Sequence, residues 1–345
     1  MKQKLAIFTE LDEDVRRMAA EVFEIVFERS PRTDKDSLDP DFVSRILRDS
    51  EVEVTVVEAQ PLPRTVLAAA ERLKLIASVR TTPSNVDLDA ARERGIQVTR
   101  SPARNAIAVA EFTIAQILNC ARMIPFAYTA LKRGEYVLPP GGTPNTNSKD
   151  VIWSHPGLPV KPYVVFKGRE IAGSTLGIVG FGSIGRLVAE RAAALGMRVL
   201  FFDPYLPETE TEKAERVKTL EELLSRSDFV SLHAKTTAET EGMIDTVALA
   251  RMKPTAYLVN TARGALIRQS DLVLALRSRT IAGAALDVFE TEPLVRGDEI
   301  FELDNLIYTP HIGGATKDVI RHHSESVWRN LRAFLAGEIP PDRVG

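Results

Sequence analysis

The sequence predicts an α/β protein of two domains, each wound on a parallel sheet, and three observations carry that expectation. At 345 residues the chain exceeds the size at which one core usually keeps growing. Short apolar runs alternate with helical patterns along most of it, which implies βα units with right-handed crossovers. Midway, the apolar run Leu176–Val179 enters the turn Gly180-Phe181-Gly182-Ser183-Ile184-Gly185 and then a helical stretch, Arg186 to Leu195. That strand, glycine turn and helix are the local order of a doubly wound, Rossmann-like nucleotide-binding domain.

The first hundred residues carry the same rhythm without a glycine turn. Leu5 to Phe8 reads as a strand and Asp12 to Phe27 has helical spacing. Val52 to Val57, Leu73 to Val79 and Ile96 to Val98 read as further strands. This marks a separate, flavodoxin-like doubly wound domain that binds no nucleotide, set across an interdomain cleft from the other. Asn105 to Met123 is a long Ala-rich helical stretch, expected to cross from one domain to the next. Gly134 to Pro162 is rich in Gly, Pro, Asn and Ser, and a loop of that length is functional or an interface element. Trp153 and His155 within it are candidates to anchor a second subunit. Strands then recur at Phe229–Leu232, Tyr257–Val259, Ala284–Leu286 and Asn305–Tyr308, with helical patterns between, before a terminal helical run from Thr316 to Leu335. Such a helix often returns to the first domain and makes it discontinuous.

The glycine turn has a physical reading. Gly180 takes the tight bend, Gly182 lets the backbone approach a pyrophosphate, and Gly185 lets helix and strand pack closely. The anion is then held by unpaired N–H groups at the helix N-terminus, those of Ser183 and Ile184 among them. A second apolar strand, Arg198–Phe202, ends in Asp203. An acid there accepts from the ribose hydroxyls of the adenosine and repels a 2′-phosphate, which favours NAD over NADP.

Composition excludes other classes. The net charge is −3, with 44 basic and 47 acidic residues mixed along the chain, so neither nucleic acid nor an anionic membrane is expected as the main partner. Cys120 is the single cysteine, which leaves no disulfide framework and fits a reducing compartment. No His/Cys/Asp cluster has metal-ligand spacing. Without an apolar signal core or long spanning segment, a cytoplasmic protein is expected.

Three strand ends beyond the glycine turn concentrate polar groups. Asn260-Thr261-Ala262-Arg263-Gly264 offers an arginine fork suited to a carboxylate. Asp287-Val288-Phe289-Glu290-Thr291-Glu292-Pro293 offers carboxylates, and Pro310-His311-Ile312-Gly313-Gly314 a histidine. A histidine oriented by an acid is the usual proton relay near neutral pH.

Those stretches, with Thr175 to Asp203, resemble the D-isomer-specific 2-hydroxyacid dehydrogenases, a family that includes phosphoglycerate, glycerate and D-lactate dehydrogenases. The likeness spans roughly residues 70 to 335 in order and spacing. It implies hydride transfer between NAD and C2 of a small D-2-hydroxy or 2-keto acid. Arg263 would bind the substrate carboxylate and carbonyl, His311 would be the general acid/base and Glu292 its partner. Asp287 would lie near the nicotinamide, Glu290 in solvent, and His233, Thr261 and Gly313 beside the cofactor. The substrate domain would comprise 1–108 and 318–345, and the NAD domain 109–317.

The first domain resembles the family at Asn85-Val86-Asp87-Leu88 and Arg94-Gly95-Ile96, after a loop that in relatives is glycine-rich and cups the substrate carboxylate. Here Thr81 and Thr82 stand where glycines are common, and Ala103 stands where Gly is frequent. Arg80, Thr81, Thr82 and Arg104 are the candidate substrate contacts. Gln60 falls where relatives acting on 3-phosphoglycerate place a basic side chain, so that substrate is not expected to be the best. A homodimer built on the NAD domains is expected. The resemblance extends to transcriptional corepressors with the same triad, so an NAD-responsive binding protein is the alternative reading. His322 and His323 are adjacent on the terminal helix and face different ways, so no metal site is expected there.

Overall fold

The computed structural model describes residues 2–29, 38–143, 153, 161–207 and 213–344. In chain order the elements are β1 (Gln3–Ile7), α1 (Glu13–Val22), β2 (Phe23–Glu28), α2 (Pro40–Asp49), β3 (Val54–Val57), α3 (Arg64–Ala69), β4 (Leu75–Ser78), α4 (Leu88–Glu93) and β5 (Gln97–Thr99). They continue with α5 (Ala106–Arg122), α6 (Ile124–Lys132), α7 (Pro162–Val165), β6 (Thr175–Val179), α8 (Ser183–Ala194), β7 (Arg198–Phe202), β8 (Glu215–Arg216), α9 (Leu220–Arg226) and β9 (Phe229–Leu232). The last are α10 (Thr246–Arg251), β10 (Tyr257–Asn260), α11 (Gln269–Arg277), β11 (Gly283–Leu286), β12 (Leu306–Tyr308) and α12 (Asp318–Leu335).

The chain divides into two compact units, one of Met1–Asn105 with Ala315–Gly345 and one of Ala106–Gly314. The first holds a five-stranded sheet in the order β2-β1-β3-β4-β5, parallel throughout. Its central strands are buried on both faces and read as continuous apolar runs, as parallel strands must. One face packs Leu5, Ile7, Val54 and Leu75 against Val327 and Leu331 of α12. α12 therefore completes the core of a sheet made almost wholly from the first hundred residues.

One expectation changes here. The helical spacing read from Asp12 to Phe27 ends at Val22, and Phe23-Glu24-Ile25-Val26-Phe27-Glu28 is the edge strand β2, paired with β1. The apolar positions of this short run satisfy both a helical and an alternating pattern, and the β-branched and aromatic side chains decide for the strand. The helical stretch expected from Asn105 to Met123 is observed as α5, which ends at Arg122, and Met123, with φ +53°, precedes α6. Of the segment 134–162, His155 and most neighbouring residues lie outside the described residues.

The second unit holds a seven-stranded parallel sheet in the order β12-β11-β10-β9-β6-β7-β8. β6 lies between β9 and β7, so the strand order reverses at β6. That reversal opens a crevice at the carboxyl ends of the strands, where ligands of open α/β sheets bind. Among the described residues no single helix is long and apolar enough to cross a membrane.

Candidate active site

The glycine turn sits at that reversal. Gly180 has φ +90°, and a Cβ there would lie 2.6 Å from the Ala234 nitrogen, so only glycine fits. A Cβ on Gly185 would lie 2.3 Å from the Gly180 oxygen, which fixes how closely α8 approaches β6. Gly182 differs, because a Cβ there would meet no protein atom within 4 Å. Its openness is demanded by nothing in the fold, and the N-terminus of α8 at Gly182 has no side-chain cap. These residues, with exposed Ser183 and half-buried Ile184, fit a pyrophosphate held on backbone N–H groups.

Asp203 closes one side of this crevice. Its Oδ2 accepts from the Phe181 N–H at 2.8 Å and its Oδ1 from the Tyr205 N–H at 3.0 Å, which ties the glycine turn to the end of β7. Each carboxylate oxygen retains a lone pair for a ribose hydroxyl. On the other side, His233 follows β9, its N–H bonded to the Val179 oxygen at 2.7 Å and its Nε2 2.9 Å from Ser231 Oγ. Burial pushes its imidazole down to about 4, so the ring is neutral at ordinary pH.

The triad candidates occupy loops after β10, β11 and β12. Asn260, fully buried at the end of β10, donates from Nδ2 to the Arg263 oxygen at 2.8 Å and accepts from the Ala262 N–H at 3.0 Å. This brace leaves the Arg263 side chain exposed, bonded among the described residues to its neighbour Ala262's oxygen at 2.5 Å. A Cβ on Gly264 would lie 1.9 Å from the Phe289 carbonyl. The absence of a side chain there is what lets the arginine loop lie against the segment carrying Glu292.

Glu292 has two partners. Oε1 accepts from the Phe289 N–H at 3.0 Å, and Oε2 lies 2.7 Å from His311 Nδ1. The His311 side chain is 50% exposed and its φ is +55°, a left-handed conformation unusual for histidine. What holds it there is Asp287, 1% exposed, whose Oδ1 accepts from Thr309 Oγ1 at 2.6 Å and from the Ile312 N–H at 2.9 Å. Its Oδ2 accepts from the Gly313 N–H at 2.7 Å, and its backbone oxygen from the His311 N–H at 2.9 Å. Asp287 thus staples the whole turn that presents the imidazole, a task its place in the sequence does not reveal. Thr309, two residues before His311, carries no sequence signal that marks it for this network. Glu290 is exposed, as expected.

Thr261 is buried, and its hydroxyl is shared with Thr113 of α5 at 2.8 Å, so it braces the arginine loop. In the first unit the arginines separate. Arg104 Nη1 donates to Glu58 Oε1 at 2.9 Å and lies 3.3 Å from His323 Nδ1, while its carbonyl lies 3.2 Å from His322 Nδ1. The adjacent histidines, expected to face different ways, meet different groups of Arg104: His323 its guanidinium and His322 its carbonyl. Arg80 follows β4 half-buried, and Thr81 and Thr82 beside it are exposed. Gln60 is fully buried, its Oε1 accepting from the Glu58 and Ala59 N–H groups. No group of three or more His, Cys, Asp or Glu among the described residues could hold a metal ion.

A reversed parallel sheet with a glycine turn, a ribose acid and a histidine–carboxylate pair defines a dinucleotide-dependent oxidoreductase. Residues 114–313 match the model of the D-isomer specific 2-hydroxyacid dehydrogenase NAD binding domain. The chain is 36% identical over 345 residues to a glyoxylate reductase of Thermococcus litoralis, covering all of this chain and 97% of that one. It is 37% identical over 291 residues to a D-3-phosphoglycerate dehydrogenase of Mycobacterium tuberculosis, across 84% of this chain and 49% of that one. Among solved structures, a Thermus thermophilus protein superposes with TM-score 0.79 at 32% identity, over 99% and 100% of the two chains. An NADPH-dependent glyoxylate/hydroxypyruvate reductase of Sinorhizobium meliloti superposes with TM-score 0.74 at 26% identity, over 100% and 97%. The chain belongs to the D-isomer specific 2-hydroxyacid dehydrogenase family. It is an NAD-dependent oxidoreductase of hydroxy and keto acids, and the corepressor alternative is not favoured.

Proposed function

We propose that this enzyme reduces a small, unphosphorylated 2-keto acid of the glyoxylate or hydroxypyruvate kind, with His311 as proton donor. The observation that carries the reading is the His311 Nδ1–Glu292 Oε2 pair, 2.7 Å apart, on a turn stapled by Asp287. NAD supplies the hydride chemistry when bound. Arg263 grips the substrate carboxylate with its planar fork and polarises the adjacent carbonyl. His311 gives a proton from Nε2 to the ketone oxygen in reduction and takes the hydroxyl proton in oxidation. Glu292 holds the ring in the tautomer that serves both. Gly180, Gly182, Ser183, Ile184, Gly185 and Asp203 bind the cofactor, with His233, Thr261, Asp287 and Gly313 around it.

The substrate class is supported by full-length similarity to glyoxylate reductases. Against a phosphorylated substrate speak Gln60, buried where a basic side chain would be needed, and Arg104, whose Nη1 is paired with Glu58; Arg80, Thr81 and Thr82 are the first unit's other candidate contacts. NADH consumption against glyoxylate, hydroxypyruvate, pyruvate and phosphohydroxypyruvate tests this. A higher kcat/KM for the phosphorylated acid would overturn it.

Coenzyme preference is for NAD, supported by Asp203; equal activity with NADP would refute that. The working form is a homodimer through the NAD unit, in the cytoplasm. Supporting the dimer, Ile124, Tyr128, Leu131, Val137, Tyr163 and Val164 are large apolar residues left exposed along one stretch of that unit. A monomeric mass by light scattering at micromolar concentration would remove the dimer.

A further inference from the structure

The loops after β7 and β9 flank the one after β6, because β6 stands between those two strands. Asp203 on the first of these loops is one carboxylate at the crevice. The phenol of Tyr205, on the same loop, donates to Oε2 of Glu239, which lies on the loop after β9. A second carboxylate is therefore tethered on the far side of the crevice, one tyrosine side chain away from the loop that holds the first. Tyr205 is 70% exposed, so the contact lies at the surface rather than within the core. The phenol is held above its usual range by its hydrogen bond to Glu239 and that acid's charge first, with burial and then the charge of Asp203 adding to it.

One cation at this loop is committed to its backbone. Arg216 of β8 donates from Nη2 to the carbonyls of Asp203 and Leu206, both at 2.9 Å, and from Nη1 to that of Pro207 at 3.2 Å. Three of its five N–H groups therefore hold the loop's backbone.

We propose that Glu239 is a second determinant of coenzyme choice: tethered by Tyr205, it acts with Asp203 to repel the 2′-phosphate of NADP. The proposal rests on the reading that the glycine turn binds NAD. A phosphate monoester carries a charge of roughly −1.5 to −2 at neutral pH, so two acids facing it oppose NADP far more than NAD, and salt screens the effect.

The test is calorimetric titration of the full-length protein with NADH and with NADPH, in wild type, Glu239→Gln, Asp203→Asn, the double variant and Tyr205→Phe. Glu239→Gln should tighten NADPH by about 5- to 10-fold and shift NADH by less than about twofold, the size expected of one charge interaction across solvent. The double variant should exceed either single change. Tyr205→Phe, which frees Glu239, should recover part of the gain. Raising ionic strength should narrow the wild-type gap between coenzymes and barely move it in the double variant. An unchanged NADPH/NADH ratio in Glu239→Gln, beside a raised one in Asp203→Asn, would overturn the role of Glu239 alone. Failure of wild type to bind NADH would overturn the cofactor reading with it.

Discussion

Nδ1 of His311 faces Oε2 of Glu292 at 2.7 Å, which leaves Nε2 as the nitrogen free to exchange a proton. His311→Ala should therefore leave NADH binding nearly intact and lower kcat by about 10²- to 10⁴-fold, the usual size of a general acid/base contribution. Stopped-flow reduction of glyoxylate, paired with NADH titration, separates the two effects. Near-wild-type turnover would mean that the proton comes from elsewhere.

Arg263→Lys should recover only part of the activity lost in Arg263→Ala, since a point charge cannot reproduce a bidentate fork. The loss should appear in both KM and kcat for the keto acid. If lysine restores wild-type values, the fork has no bidentate partner.

Asp287→Asn replaces an acceptor-only group with one that carries an N–H₂ into a buried site of three donors. One donor must then face another, at about 1–3 kcal/mol for a group left unsatisfied. Both the melting temperature and kcat should fall, because the turn that presents His311 loosens. Unaltered kcat in a destabilised protein would show that the staple serves folding only.

Acid should weaken the fold through two histidines. Burial depresses His233 to about 4, and burial with Arg104 depresses His323, both from an ordinary value near 6.5. The unfolded chain binds these protons first, so stability is whole above about pH 6.5 and declines as pH falls toward the folded values. Denaturant midpoints measured between pH 7.5 and 4.5 should fall, and His233→Gln should flatten part of the slope. A slope unaffected by either histidine's removal would assign the acid sensitivity to carboxylates.

Most of the nucleotide unit was legible because its glycines are dictated by backbone geometry: Gly180, Gly185 and Gly264 each stand where a Cβ would strike backbone. Arg263, Glu292 and His311 were legible as residue types at strand ends, and the structure adds how they are held. What could not be read were long-range partners. Nothing local in the sequence pairs Arg104 with Glu58 and His323, or Arg216 with the loop after Asp203. Edge strand β2 was missed for a different reason, since a short apolar run satisfies two periods at once.

The chain enters the second unit at Ala106 and leaves it at Gly314, so that unit is one uninterrupted segment, whereas the first is sewn from both ends of the sequence. A ribosome delivers these in a fixed order. The sheet of the first unit emerges early, yet the face formed by Leu5, Ile7, Val54 and Leu75, which Ala19 of α1 covers in part, is not sealed until Val327 and Leu331 arrive with α12. The second unit has all it needs to fold in the interval. Nascent chains that stall between these events carry a finished nucleotide unit beside an unsealed apolar sheet, the kind of surface that chaperones bind and that aggregates grow from.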